Sequence, residues 1–259
     1  MMDIQFSSED PRLGVPAMAQ VGGRTLRLTN RRQYTSRVQF TATTTGVTGG
    51  QVHTLPANIE RKAFAYKIGD TNPEGLTWPA TPADTNLVND ARQTNDGDLL
   101  VIRGFGIEVL PRTDAALLKA AIGEITITPE RGGERSVSVG LIQDFPAARG
   151  LFGGQTSMTQ PRPIAGGEPP PAGSISNGVP GIQNERFFHD PFIWAPVGAG
   201  LSAFALILKT ERAVVVNSTA ATQTAAAGVH AWAIPTDGSI LLDLRVHIFG
   251  EVYSQAVKD

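Results

Sequence analysis

Residues 98–145 read DLLVIRGFGIEVLPRTDAALLKAAIGEITITPERGGERSVSVGLIQDF, and the fold class turns on them. Leu99, Val101, Phe105, Ile107 and Val109 share one face of an extended chain, with Ile102 and Leu110 on the other. Alternation of this kind marks a strand packed on a core, because successive side chains point to opposite sides. Gly104 and Gly106 stand where a bulge or a close backbone approach is expected. Thr113 is placed to cap a short helix over 114–122, with Asp114 in its first turn set favourably against the helix dipole. Gly123 follows where a left-handed residue ends a helix, and Ile125 and Ile127 then alternate in a strand over 124–128. Gly132 and Gly133 turn the chain into Val137, Val139 and Leu141, again on one face. Side chains of catalytic type are scarce throughout. The stretch reads as scaffold or assembly surface.

Working outward, residues 24–45 are rich in β-branched and aromatic types and predict one or two strands, with Leu26 and Leu28, then Val38 and Phe40, alternating with polar residues. Gly46, Gly49 and Gly50 make a turn, 63–68 a short strand, and 69–95 a loop containing Pro73, Pro79 and Pro82. Downstream, residues 146–181 are Gly- and Pro-rich, a length of irregular chain that is usually functional or a contact arm. Strands resume at 187–194 and 201–216, and residues 217–228 read as an exposed low-complexity loop. The closing segment 239–253 alternates Ile240, Leu242, Leu244, Val246 and Ile248 without a break. At about 3.3 Å per residue it would span roughly 45 Å, longer than a typical strand. The organisation predicted is an irregular N-terminal arm over 1–23 and one domain over 24–259, with the long loop at 146–181.

The chain has 259 residues, a net charge of −2 and no cysteine. Its length suffices for a substantial core. The charge gives no global field toward nucleic acid. Without thiols, disulfide staples, thiolate zinc sites and a cysteine nucleophile are excluded. The N-terminus shows no signal peptide pattern. Residues 191–208 are uncharged and approach membrane-spanning length, but Pro196, Gly198 and Gly200 break them, so they read as a turn between two buried strands.

The four histidines, His53, His189, His230 and His247, lie outside metal-ligand spacing of one another. Neither a nucleophile elbow nor a phosphate-binding glycine loop is present. The best polar constellation is Asp243, Arg245 and His247, alternating along the last strand. Either His247 is a base oriented by Asp243, or the three line an outer face or a contact with a neighbouring subunit; strand alternation favours the second. Between Pro11 and Ile59 stand six arginines, Arg12, Arg24, Arg27, Arg31, Arg32 and Arg37, with no Asp, Glu or Lys. Arginine suits bidentate contact with phosphate or carboxylate, so Arg24, Arg27, Arg31, Arg32 and Arg37 are candidate contacts to an anionic partner. The alternative is a set of ordinary surface arginines paired with distant acids.

The strand DLLVIRGFGIEVLP, the helix TDAALLKAAIG, the strand pair GEITIT and RSVSVGLIQDFPA, and the closing strand SILLDLRVHIFGEVYSQ together resemble a viral jelly roll. The chain is similar in layout to coat proteins of tailless, icosahedral bacteriophages, particularly those with an internal membrane. The resemblance implies an all-β fold, a single jelly-roll β-sandwich with one short helix and long loops. It implies a capsid protein, not an enzyme, with no cofactor, metal or small-molecule substrate. The implied partners are copies of itself, other capsid proteins and membrane lipid headgroups, without direct nucleic-acid binding, and its location is the virion. The rival readings are a phage spike or vertex protein, a receptor- or carbohydrate-binding module using Trp78, Trp194 and Trp232, and a jelly-roll enzyme.

Overall fold

A computed structural model describes residues 4–10, 15–21, 23–30, 34–47, 50–88, 98–110, 112–145, 187–194, 203–218 and 240–255. The fold is all-β with one short helix. Its strands are β1 (Ile4–Phe6), β2 (Glu9–Asp10), β3 (Val15–Pro16), β4 (Met18–Val21), β5 (Arg24–Asn30), β6 (Tyr34–Thr41), β7 (Thr43–Val47), β8 (Gly50–Leu55) and β9 (Glu60–Ala63). After these come β10 (Leu99–Val109), helix α1 (Ala115–Ala121), β11 (Ile125–Arg131), β12 (Glu134–Arg135) and β13 (Gly140–Leu141). The chain closes with β14 (Phe187–Trp194), β15 (Phe204–Thr210), β16 (Val214–Ser218) and β17 (Leu241–Gln255).

Two sheets carry the architecture. A seven-stranded sheet runs β1-β4-β5-β17-β10-β14, with β6 also on β17; a five-stranded sheet runs β12-β11-β15-β9, with β13 also on β11. The fifteen-residue β17 pairs β6 along its first half and β5 along its second, so the two shorter strands succeed each other on one edge of it. Five antiparallel pairs are nested in chain order: β6 with β17, β9 with β15, β10 with β14, and β11 with both β12 and β13. The pairs β10–β17 and β11–β15 join these into the two sheets. Phe40, Val38, Leu242, Leu244, Val246 and Ile107 of the first sheet share one buried cluster with Ile125, Ile127, Leu206 and Leu208 of the second. At one end, a three-stranded sheet β16-β8-β7 adds Leu55 and Val214 to that core, and α1 adds Leu117 and Ala121.

A bulge in β10 places its side chains. Ile102 faces Gly250 while Gly104 faces Phe249, so Arg103 is one residue more than β17 can match. An extra residue reverses the alternation. Leu100 and Ile102 before it, and Phe105, Ile107 and Val109 after it, therefore enter the main core. Leu99 and Val101 go to the opposite side, into a second cluster with Ala19, Val21, Leu26 and Tyr253. The expectation that Leu99, Val101, Phe105, Ile107 and Val109 share one face is corrected accordingly.

Other expectations shift as well. Residues 4–6 and 18–21, expected to be irregular, are strands that widen the seven-stranded sheet beyond β5. The helix starts one residue late, capped by Asp114, whose Oδ1 accepts from the Leu117 N–H at 2.8 Å. Thr113 is buried and its hydroxyl instead donates to the Asp243 carbonyl at 2.9 Å. Gly123 is not left-handed. The strand expected at 63–68 ends at Ala63, and Val137, expected in a strand face, is 86% exposed between β12 and β13. The uncharged stretch 191–208 falls partly on β14 and β15. The loop at 146–181 lies outside the described residues, as do Arg12, Arg31, Arg32, His230 and Trp232.

Candidate functional site on the outer face of the central sheet

Away from the main core, β6 presents Thr35, Arg37 and Gln39, β17 presents Asp243, Arg245 and His247, and β10 presents Glu108, because register aligns these alternate positions. This face is not open to solvent. Residues 64–87 bring Asp84, Trp78 and the Ala83 carbonyl onto Arg37 and Arg245, and on this face Asp243 is fully buried, His247 is 3% exposed and Glu108 is 7% exposed. The reading of Asp243, Arg245 and His247 as an outer face therefore needs correction: the row points away from the core but is covered by a further layer.

Arg37 organises the cluster. Its Nε donates to Asp243 Oδ1 at 2.7 Å, and Nη2 makes a second, shorter contact with Asp243 Oδ2. Its Nη1 donates to Asp84 Oδ1 at 2.9 Å. The other oxygen, Asp84 Oδ2, accepts from Trp78 Nε1 at 3.1 Å, from the Thr81 N–H at 3.0 Å and from the Thr81 hydroxyl at 2.7 Å. Trp78 in turn lies near two guanidiniums, with Arg37 Cζ 5.0 Å and Arg112 Cζ 4.9 Å from its ring centroid. Those distances suit cation–π attraction. Burial works against the Arg37 charge, yet the hydrogen bonds and negative charges of Asp243 and Asp84 outweigh it and hold its pKa above the ordinary value. Burial would likewise raise Asp84, but the donors Thr81, Trp78 and Arg37 outweigh it and lower that carboxyl below its usual range.

The second half of the cluster centres on Glu108. Its Oε2 lies 2.6 Å from His247 Nε2 and 3.4 Å from Arg245 Nη1. Arg245 Nη2 donates to the Ala83 carbonyl at 2.9 Å, tying the covering segment to β17. His247 is thus oriented by Glu108 and not by Asp243, which belongs to Arg37. Glycine helps here, since Gly106 is the β10 residue opposite His247 and brings no side chain to the space.

These carboxylates are already engaged by guanidinium, indole, hydroxyl or imidazole donors, so the arrangement binds chain to chain. Among the described residues no group of three His, Cys, Asp or Glu could hold a metal ion. His53 is buried on β8 with its Nδ1 2.9 Å from the Thr44 hydroxyl on β7.

The arginine-rich stretch does not form one face. Arg24 and Arg27 are exposed on β5 at positions of opposite parity, hence on opposite sides of the sheet. Arg37 is turned inward and held by internal acids, so its place among the anionic-partner contacts is corrected. Of the tryptophans, Trp194 is fully buried against Tyr34, Phe64 and Phe204 and is part of the core. Sequence reasoning missed Glu108 and Asp84, and read Trp78 as a binding platform where it packs on Arg37 and donates to Asp84. Trp78 and Asp84 stand in WPATPAD, where an acid three residues after a threonine was a readable local turn, though its long-range partner was not.

No protein family matches the chain, and no curated protein or solved structure matches it significantly.

Proposed function

We propose that the chain is a structural virion protein, most simply a bacteriophage capsid subunit, and that its sandwich is a jelly roll. The observation that carries this is the nesting of strand pairs, β6 with β17, β9 with β15, β10 with β14 and β11 with β12 and β13, across two sheets that share one core. Nested antiparallel pairs rolled over a common core are the jelly-roll plan. Such a sandwich supplies rigid geometry, and closed symmetry multiplies modest contacts between copies. Partners in this reading are copies of the chain, other shell proteins and anionic headgroups, with Arg24 and Arg27 the exposed candidates for the last.

Quantitative mass spectrometry of purified virus particles tests it. The chain is expected in many copies per particle, in fixed ratio to the other shell components. Its absence from particles, or its presence only in infected-cell lysate, would reject the reading. A few copies per particle would reject the major-coat form and favour a vertex or spike protein.

A further inference from the structure

We propose that residues 64–87 form a spring-loaded cover, a separately opening unit held shut over the charged face of the central sheet by Arg37.

Three observations support this. The first is where the segment is anchored. Phe64 and Leu87 at its two ends belong to the main core, but between them Tyr66, Leu76 and Ala80, with Trp78 packed beside them, form a small cluster of their own. The segment also makes its own backbone bonds: Ile68 N–H to Leu87 O at 2.9 Å, Gly69 N–H to Ala80 O at 2.8 Å, and Ala80 N–H to Asp70 O at 2.8 Å. With Phe64 and Leu87 left in place as its anchors, residues 65–86 can lift as one piece without removing a side chain from the main core.

The second is strain. Among the described residues four non-glycine positions have positive φ, and three are in this segment: Phe64 at 66°, Asn72 at 47° and Glu74 at 48°. A phenylalanine there is an outlier, because its Cβ crowds its own backbone, and such residues persist only when their surroundings over-determine them. Close to Glu74, Gly75 lies so near β6 that a Cβ on it would sit 2.1 Å from the Gln39 carbonyl oxygen. The closed position is enforced by contact.

The third is the convergence of the fastenings. The Arg37 N–H donates to Tyr66 Oη at 2.9 Å and to Asp84 O at 2.8 Å, and the Tyr66 hydroxyl donates to the Arg37 carbonyl at 2.6 Å. The guanidinium adds Asp84 Oδ1 and the Trp78 ring. Arg245 Nη2 to the Ala83 carbonyl and the Thr35 N–H to Asn86 Oδ1 add two further ties beside those of Arg37. A strained element with its own small cluster, held by polar ties of this kind, opens below the free energy of global unfolding. Opening would uncover Arg37, Asp243, Arg245 and Glu108, a charged face where the closed molecule shows loop.

Native-state hydrogen exchange on the full chain decides it. In the wild type the amides of Ile68, Gly69 and Ala80 are expected to exchange at least about tenfold faster than those of Leu244 and Val246. Asp84→Ala should speed the first set again by about tenfold and leave the second unchanged. Should that variant fail to fold, Asp84→Asn, which removes only the charge, takes its place with the same expected direction. Wild-type amides of the two sets exchanging at one common rate would overturn the proposal, as would a variant in which both sets accelerate together or neither does.

Discussion

At the scale of single residues, the molecule's least forgiving position is Asp243. Its side chain is fully buried, and its only compensation among the described side chains is the guanidinium of Arg37, 206 positions earlier in the chain. Removing one member of a buried ion pair leaves the other desolvated and uncompensated, at a cost of about 3–5 kcal/mol. Asp243→Ala should therefore lower unfolding free energy by about that amount in urea titration. Arg24→Ala, at an exposed position, should stay within about 0.5 kcal/mol of wild type. Tyr66 makes a separate prediction. Burial pushes its hydroxyl pKa up to about 12. A folded value above the unfolded one means stability is complete below the unfolded value and is lost as pH rises toward the folded one. Between pH about 10 and 12 wild type should lose on the order of 2–3 kcal/mol that Tyr66→Phe does not lose, measured by thermal unfolding against pH. Asp84 has the opposite sign: its lowered pKa stabilises the fold above the ordinary carboxylate range, and that stability goes as pH falls through the folded value. The row Asp243, Arg245 and His247 was legible in the sequence as an alternation. Its partners were not, because Arg37, Glu108 and Asp84 are brought to it by sheet register and by a loop that crosses over, and neither leaves a local pattern.

Among the elements, β10 and β17 show what alternation can and cannot say. Both were readable as strands because long runs of apolar residues at period two have few other solutions. The reversal at Arg103 was harder, since an inserted residue changes the face of everything before it while leaving each half of the pattern intact. Gly104 marked the neighbourhood without fixing which residue was extra. The β17 side of this bulge requires a glycine: a Cβ on Gly250 would lie 2.0 Å from the Val101 carbonyl oxygen. Gly250→Ala should force β10 and β17 apart locally and cost on the order of 1–3 kcal/mol, read from chemical denaturation, with amide exchange changes centred on 99–104. The segment 63–68 was misread for a related reason. Its β-favouring residues continue past Ala63, but the chain turns at Phe64 in a left-handed conformation that propensity argues against. The N-terminal strands were invisible because β1 and β4 are short and only widen a sheet already formed.

For the molecule as a whole, the nested strand pairs account for the long closing strand. β17 pairs with β5, β6 and β10, so the last strand joins three elements from the first half of the chain and sits inside the sheet they share. Leu244, in the first third of β17, is fully buried in the cluster that both sheets share. Leu244→Asp, which would put an unpaired carboxylate between them, should leave no cooperatively folded protein by circular dichroism and thermal melting. All-β character was legible from composition and periodicity, whereas the pairing order was not, since it depends on contacts between residues far apart in sequence. That order supports the shell-subunit reading. The most direct test is to purify the intact chain, measure its mass in solution by light scattering over a range of concentration and salt, and view the same sample by negative-stain electron microscopy. The account predicts closed, symmetric assemblies of many copies; a strict monomer under every condition, with no ordered particles in the field, would contradict it.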